Sequence, residues 1–107
     1  MKLSNQINLE FNKQSFKALL KLGSEESQTE YSHKQIAEWC EMFWNKYHDI
    51  DTLEEIENLM PILASVETQW DLYLVNTYSV NQLESMDLEL ITLPFSWFAD
   101  WLGEIDT

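Results

Sequence analysis

Three side chains in this sequence could act as nucleophile, base or soft metal ligand: Cys40, His33 and His48. A cysteine nucleophile needs a base within hydrogen-bond reach. His33 lies seven residues before Cys40 on one helical face, and a rise of about 1.5 Å per residue puts it about 10 Å away. His48 is one residue farther off in the other direction. Cys40 also falls within an apolar stripe, where it reads as a small core residue. Two histidines and one cysteine supply none of the closed zinc patterns. The segment Asp49-Ile50-Asp51-Thr52-Leu53-Glu54 opens like a calcium loop, then places Leu53 at a ligand position and Glu54 where the turn requires Gly. The chain has no Gly-rich phosphate loop and no G-x-S-x-G elbow. The expectation is therefore a protein that is not an enzyme, with no catalytic residue, metal site or cofactor. His33 and His48 read as helix-end residues, the latter favourably placed near a C-terminus.

Carboxylates are the abundant chemistry. General acid catalysis needs a carboxyl with a raised pKa, usually from burial. Only Asp71 and Asp87 interrupt otherwise apolar segments, and no recognisable constellation surrounds them. The denser feature is Asp49, Asp51, Glu54, Glu55 and Glu57, five carboxylates in nine residues. Asp51, Glu54 and Glu55 complement the positive end of a following helix. Glu38 and Glu41 extend the acidic surface along the preceding helix if that helix packs back antiparallel. A separate set of aromatics, Phe95, Trp97, Phe98 and Trp101, recurs at helical spacing. It reads as core, or alternatively as a patch in which Trp97 and Trp101 anchor a partner.

The elements that must position these groups read as helices. The chain has 107 residues with only two Gly and two Pro, too few turn residues for a multi-hairpin β fold. Ile36, Trp39, Cys40, Phe43, Trp44 and Tyr47 form one apolar stripe over 33–47. Ser32 with Gln35 forms a capping box at its start, and Tyr31 and Ile36 are placed as a hydrophobic staple. The same grammar at Ser79 and Gln82 starts a helix at Val80, and Thr52 with Glu55 offers a third box. Pro61 either kinks that third helix or opens a new one. An early helix spans about 13–22 with Gly23 as its stop, and a last one follows Pro94 and ends at Gly103. The fold class expected is mainly α, a compact bundle of about five helices in a single domain, 1–107. Segments near 5–11, 70–78 and 87–93 also carry strand-like alternation, so an α+β fold with a small sheet is the alternative.

Charge narrows the class of partner. There are 19 Asp and Glu against 6 Lys and no Arg, a formal net charge of −13. Residues 1–24 carry four lysines against Glu10, a net +3, while residues 25–107 carry 18 acids against two lysines, a net −16. No lysine follows Asp49. Direct nucleic-acid binding through phosphate neutralisation needs a basic face, and anionic lipid would repel this chain. The longest apolar run, Leu59 to Ala64, is too short to span a membrane. The N-terminus has no apolar stretch behind Lys2 and there is one cysteine, so a cytoplasmic protein is expected.

In kind, this composition resembles the bacterial immunity proteins, which are small, cytosolic, acidic and often rich in Trp. The resemblance implies an inhibitor that occludes a basic protein partner, most naturally a nuclease toxin, because a phosphate-attracting cleft is cationic. The partner-binding residues expected are Glu38, Glu41, Asp49, Asp51, Glu54, Glu55, Glu57, Trp97 and Trp101. One alternative is a DNA mimic that blocks restriction or CRISPR machinery. Thirteen net charges match about 22 Å of duplex axis, so mimicry needs most of them on one face, and a basic N-terminal segment packed on the far side would help. Another alternative is a non-catalytic adaptor or assembly subunit. The sequence leaves the oligomeric state open.

Overall fold

Except for the short helical turn after Leu53, each helix starts where a capping side chain meets an apolar stripe or next to a proline. The structure, a computed structural model, describes residues 7–25 and 30–105. Among them, α1 is Lys13–Gly23, α2 His33–Tyr47, α3 Glu54–Glu57, α4 Met60–Thr77, α5 Val80–Ser85 and α6 Phe95–Ile105. A 3-10 turn, Leu88–Leu90, lies between α5 and α6. α3 is a single turn, which leaves a bundle of five longer helices.

Both expected capping boxes form. The Gln35 N–H donates to Ser32 Oγ at 3.0 Å while the Ser32 N–H donates to Gln35 Oε1 at 2.9 Å. The Ser79–Gln82 pair repeats this at 3.1 and 2.8 Å. The third box does not form. Its helix begins one residue later, with Leu53 at the N-cap and no side-chain cap bond. That register turns Ile56 and Leu59 toward the core and leaves Leu53 exposed. Pro61 opens a new helix instead of kinking an old one, since it sits in the first turn of α4, where a missing N–H costs nothing.

No strand occurs among the described residues, so the α+β alternative is set aside. Residues 70–77 lie in α4 with Tyr78 as its C-cap. The core takes Trp70 and Leu74, four residues apart, and leaves Leu72 exposed. Helical spacing thus wins over the alternation Trp70-Leu72-Leu74. Residues 87–93 form the 3-10 turn with extended flanks. Residues 7–11 are irregular, and the rest of the 5–11 segment lies outside the described residues.

α2 is the central helix. It packs lengthwise against α4 and touches α1 and the 3-10 turn, while α6 packs mainly on α1. Trp39, Phe16, Phe43, Phe98, Leu19, Leu20, Ile36 and Leu63 are fully buried between them, each side chain of this size contributing roughly 1.5–3 kcal/mol on burial. Gly23 ends α1 as expected, but Gly103 departs from its expected role. Neither has a positive φ, so Gly23 ends α1 without a left-handed cap, and Ser24 caps the helix in the right-handed α region. Gly103 does not stop α6, which continues to Ile105.

Candidate partner-binding surface

α4 returns along α2, and that pairing brings together carboxylates far apart in sequence. Glu41 on α2 faces Glu67 on α4, and Asp71 lies one turn beyond Glu67. Partial burial, then the charges of Glu41 and Asp71, push the Glu67 carboxyl above its ordinary range. Cys40 lies beneath this seam, fully buried. Burial first, and the Glu67 charge second, raise its thiol well above the usual value. Such a thiol is packing material and no nucleophile. Among the described residues, Glu41, Glu67 and Asp71 make no ion pair within 4.0 Å.

Glu38, one turn before Glu41, is held differently. The Lys34 ammonium donates to it at 2.8 Å and lies 3.5 Å from Glu89, whose carboxylate also accepts from the Ser32 hydroxyl. Lys34 therefore ties the 3-10 turn to the start of α2. Its own pKa is raised, chiefly by the Glu38 hydrogen bond.

All five acids of the 49–57 run are exposed. Asp49 sits 3.1 Å from His48 Nδ1 at the C-terminal end of α2, where the imidazole stacks on Trp44 with ring centroids 4.2 Å apart. Glu54 and Glu55 line an open groove with Asn58, Leu59 and Ile62 on one wall, Lys13 of α1 on another, and Glu104 and Ile105 of α6. Glu55 also borders a second groove with Asn12, Lys13, Gln14 and Lys17. The basic α1 thus abuts the acidic run. It does not occupy the far side of the molecule, where it would have helped the mimic alternative.

Trp101 is a correction to the expected surface. It is 5% exposed, packs edge-on against Phe98 at 5.3 Å, and its indole N–H donates to Ser65 Oγ at 3.2 Å. A side chain so enclosed belongs to the core. Trp97 is half-buried, edge-on to Tyr73 at 5.9 Å. Asp71 and Asp87, which sequence placed in apolar segments, are both exposed. Asp87 caps the 3-10 turn by accepting from the Glu89 N–H at 3.0 Å.

His33 is buried as well as terminal. Its Nδ1 accepts from the Leu93 N–H at 2.8 Å, so the proton resides on Nε2, which donates to the Gly23 carbonyl at 3.1 Å. The ring packs against Phe98 and Phe95. This neutral imidazole joins the end of α1 to the segment entering α6, and burial lowers its pKa. Sequence reasoning missed this joint, and it missed Glu67 as a member of the acidic surface. The signal for the latter was Glu67 and Asp71 at i, i+4 spacing with no lysine after Lys46.

Among the described residues, no group of three His, Cys, Asp or Glu side chains is arranged to hold a metal ion. None of the described helices is long and apolar enough to cross a membrane. No protein-family model, curated protein or solved structure matches this chain.

Proposed function

We propose that this chain is a small acidic inhibitor of the immunity type, which binds a basic protein in the cytoplasm and occludes its functional cleft, most naturally that of a nuclease toxin. In this reading it performs no catalysis itself. The observation that carries it is the gathering of Glu41, Glu67 and Asp71 on the α2–α4 surface with no ion pair to any of them among the described residues. Solubility requires net charge, but it does not require like charges to crowd, and crowding costs stability. A cationic partner would relieve that repulsion and be steered in by the surrounding field. The exposed run Asp49, Asp51, Glu54, Glu55 and Glu57 enlarges the same negative field. The DNA-mimic reading is less well supported, because Lys13 and Lys17 interrupt the acidic surface beside Glu55.

The test is capture of partners by the tagged protein at low and high salt. Recovery of one basic nuclease, inhibited by the chain and associating more slowly as salt rises, supports the proposal. Recovery of several unrelated DNA-binding proteins would favour mimicry. Two charge-reversed variants, one of Glu41, Glu67 and Asp71 to Lys and one of the five acids 49–57 to Lys, locate the contact. If both bind as tightly as the native chain, the electrostatic reading is wrong.

A further inference from the structure

α4 is apolar on two sides. Its inner face, Ile62, Leu63, Val66, Trp70 and Leu74, is buried, yet Leu72 and Val75 on the outer surface are 44% and 64% exposed. Three residues apart, they are neighbours on the helix surface. Val75 also continues the row Glu67, Asp71, Val75 at i, i+4 spacing, so the apolar pair directly borders the acidic group that Glu41 completes across the seam. An exposed apolar pair flanked on one side by charge of one sign is the composition of a small interface, apolar at its centre and charged at its edge.

The chemistry of the rim selects the occupant. A second copy would set one acidic group against another on chains of net charge −13, and anionic lipid and nucleic acid are repelled likewise. We infer that the outer face of α4 docks a cationic amphipathic helix of a protein partner, its apolar side chains seated on Leu72 and Val75 and its lysines or arginines on Glu41, Glu67 and Asp71. Apolar anchors at i and i+3 or i+4 on such a helix match the spacing of this pair. The inference rests on the reading of the partner as basic and adds where, and by what kind of segment, that partner is held.

Two labelled synthetic peptides of equal charge serve as probes in fluorescence anisotropy with the full chain: a leucine–lysine amphipathic helix and an oligolysine. The native chain should bind the amphipathic peptide at least about tenfold more tightly than oligolysine. Leu72→Ser with Val75→Ser should abolish that advantage and leave oligolysine binding unchanged. Both positions are exposed, and an unaltered thermal midpoint confirms that the double variant is folded. Retention of the full advantage by the double variant overturns the inference. If the Glu41, Glu67 and Asp71 charge reversal weakens both peptides while the double variant weakens neither, the electrostatic reading stands and the docking face falls. Failure of the native chain to bind either peptide sinks both. A concentration-dependent dimer abolished by the double variant would assign the face to a second copy instead.

Discussion

A Cβ at position 23 would lie 2.4 Å from Phe98 Cδ1 and 2.6 Å from Cε1. Phe98 is fully buried, so its ring cannot swing into solvent to make room. Gly23 is the point at which α1 and α6 approach closely enough that only hydrogen fits. Gly23→Ala should gain about 1 kcal/mol of helix propensity and lose about 1–3 kcal/mol to overpacking, a net destabilisation visible in the urea midpoint. Phe98→Leu should reduce the cost of the added methyl in a double-mutant cycle. Gly103→Ala, whose added methyl would meet nothing within 4 Å, should instead be stabilising.

Acid should loosen the joint at His33. Burial lowers its folded pKa below the ordinary 6.5, and protonation would turn Nδ1 into a donor facing the Leu93 N–H. The unfolded chain binds this proton more readily, so the stability contributed by neutral His33 is complete above about pH 6.5 and declines below it. His33→Gln should lower stability at neutral pH. It should also remove this part of the pH slope, measured as the difference between native and variant chemical-denaturation curves across mildly acidic pH. An identical slope in the two proteins would contradict the assignment.

Cys40 should resist thiol reagents in the folded state. Complete burial and the neighbouring Glu67 disfavour its thiolate. Modification by a disulfide reagent at mildly alkaline pH should therefore follow transient opening of the fold, and accelerate in urea in step with the loss of stability. Rapid labelling in native buffer would contradict the buried placement.

Glu67→Gln should separate stability from binding. The folded carboxyl has a raised pKa, so its ionised form opposes folding, and this penalty fades as pH falls through the folded value. The variant should be more stable than the native chain at neutral pH by a few tenths of a kcal/mol. That gain should shrink with added salt and on acidification. The same change should weaken a cationic partner, the signature of charge kept for binding.

Local grammar carried far in this chain. Ser32 with Gln35 and Ser79 with Gln82 marked two helix starts, because a capping box depends only on residues within one turn. The Thr52–Glu55 box had the same letters but lost to the burial of Ile56 and Leu59, which shifted the helix start by one residue. Trp70 to Tyr78 alternates like a strand, and only the packing of Trp70 and Leu74 into one core decides for helix.

The candidate surface divides in the same way. Sequence by itself determined a mainly helical fold, an excess of negative charge confined to residues 25–107, and a Cys40 within an apolar stripe. Those follow from composition and from spacing within single helices. Tertiary structure alone decided that Glu41 meets Glu67 and Asp71, that Trp101 belongs inside, and that basic α1 borders Glu54 and Glu55. It also decided that His33 bridges Gly23 and Leu93. Each of these depends on how two or more helices dock, and docking is set by the summed fit of their buried faces, which no local pattern along the chain encodes.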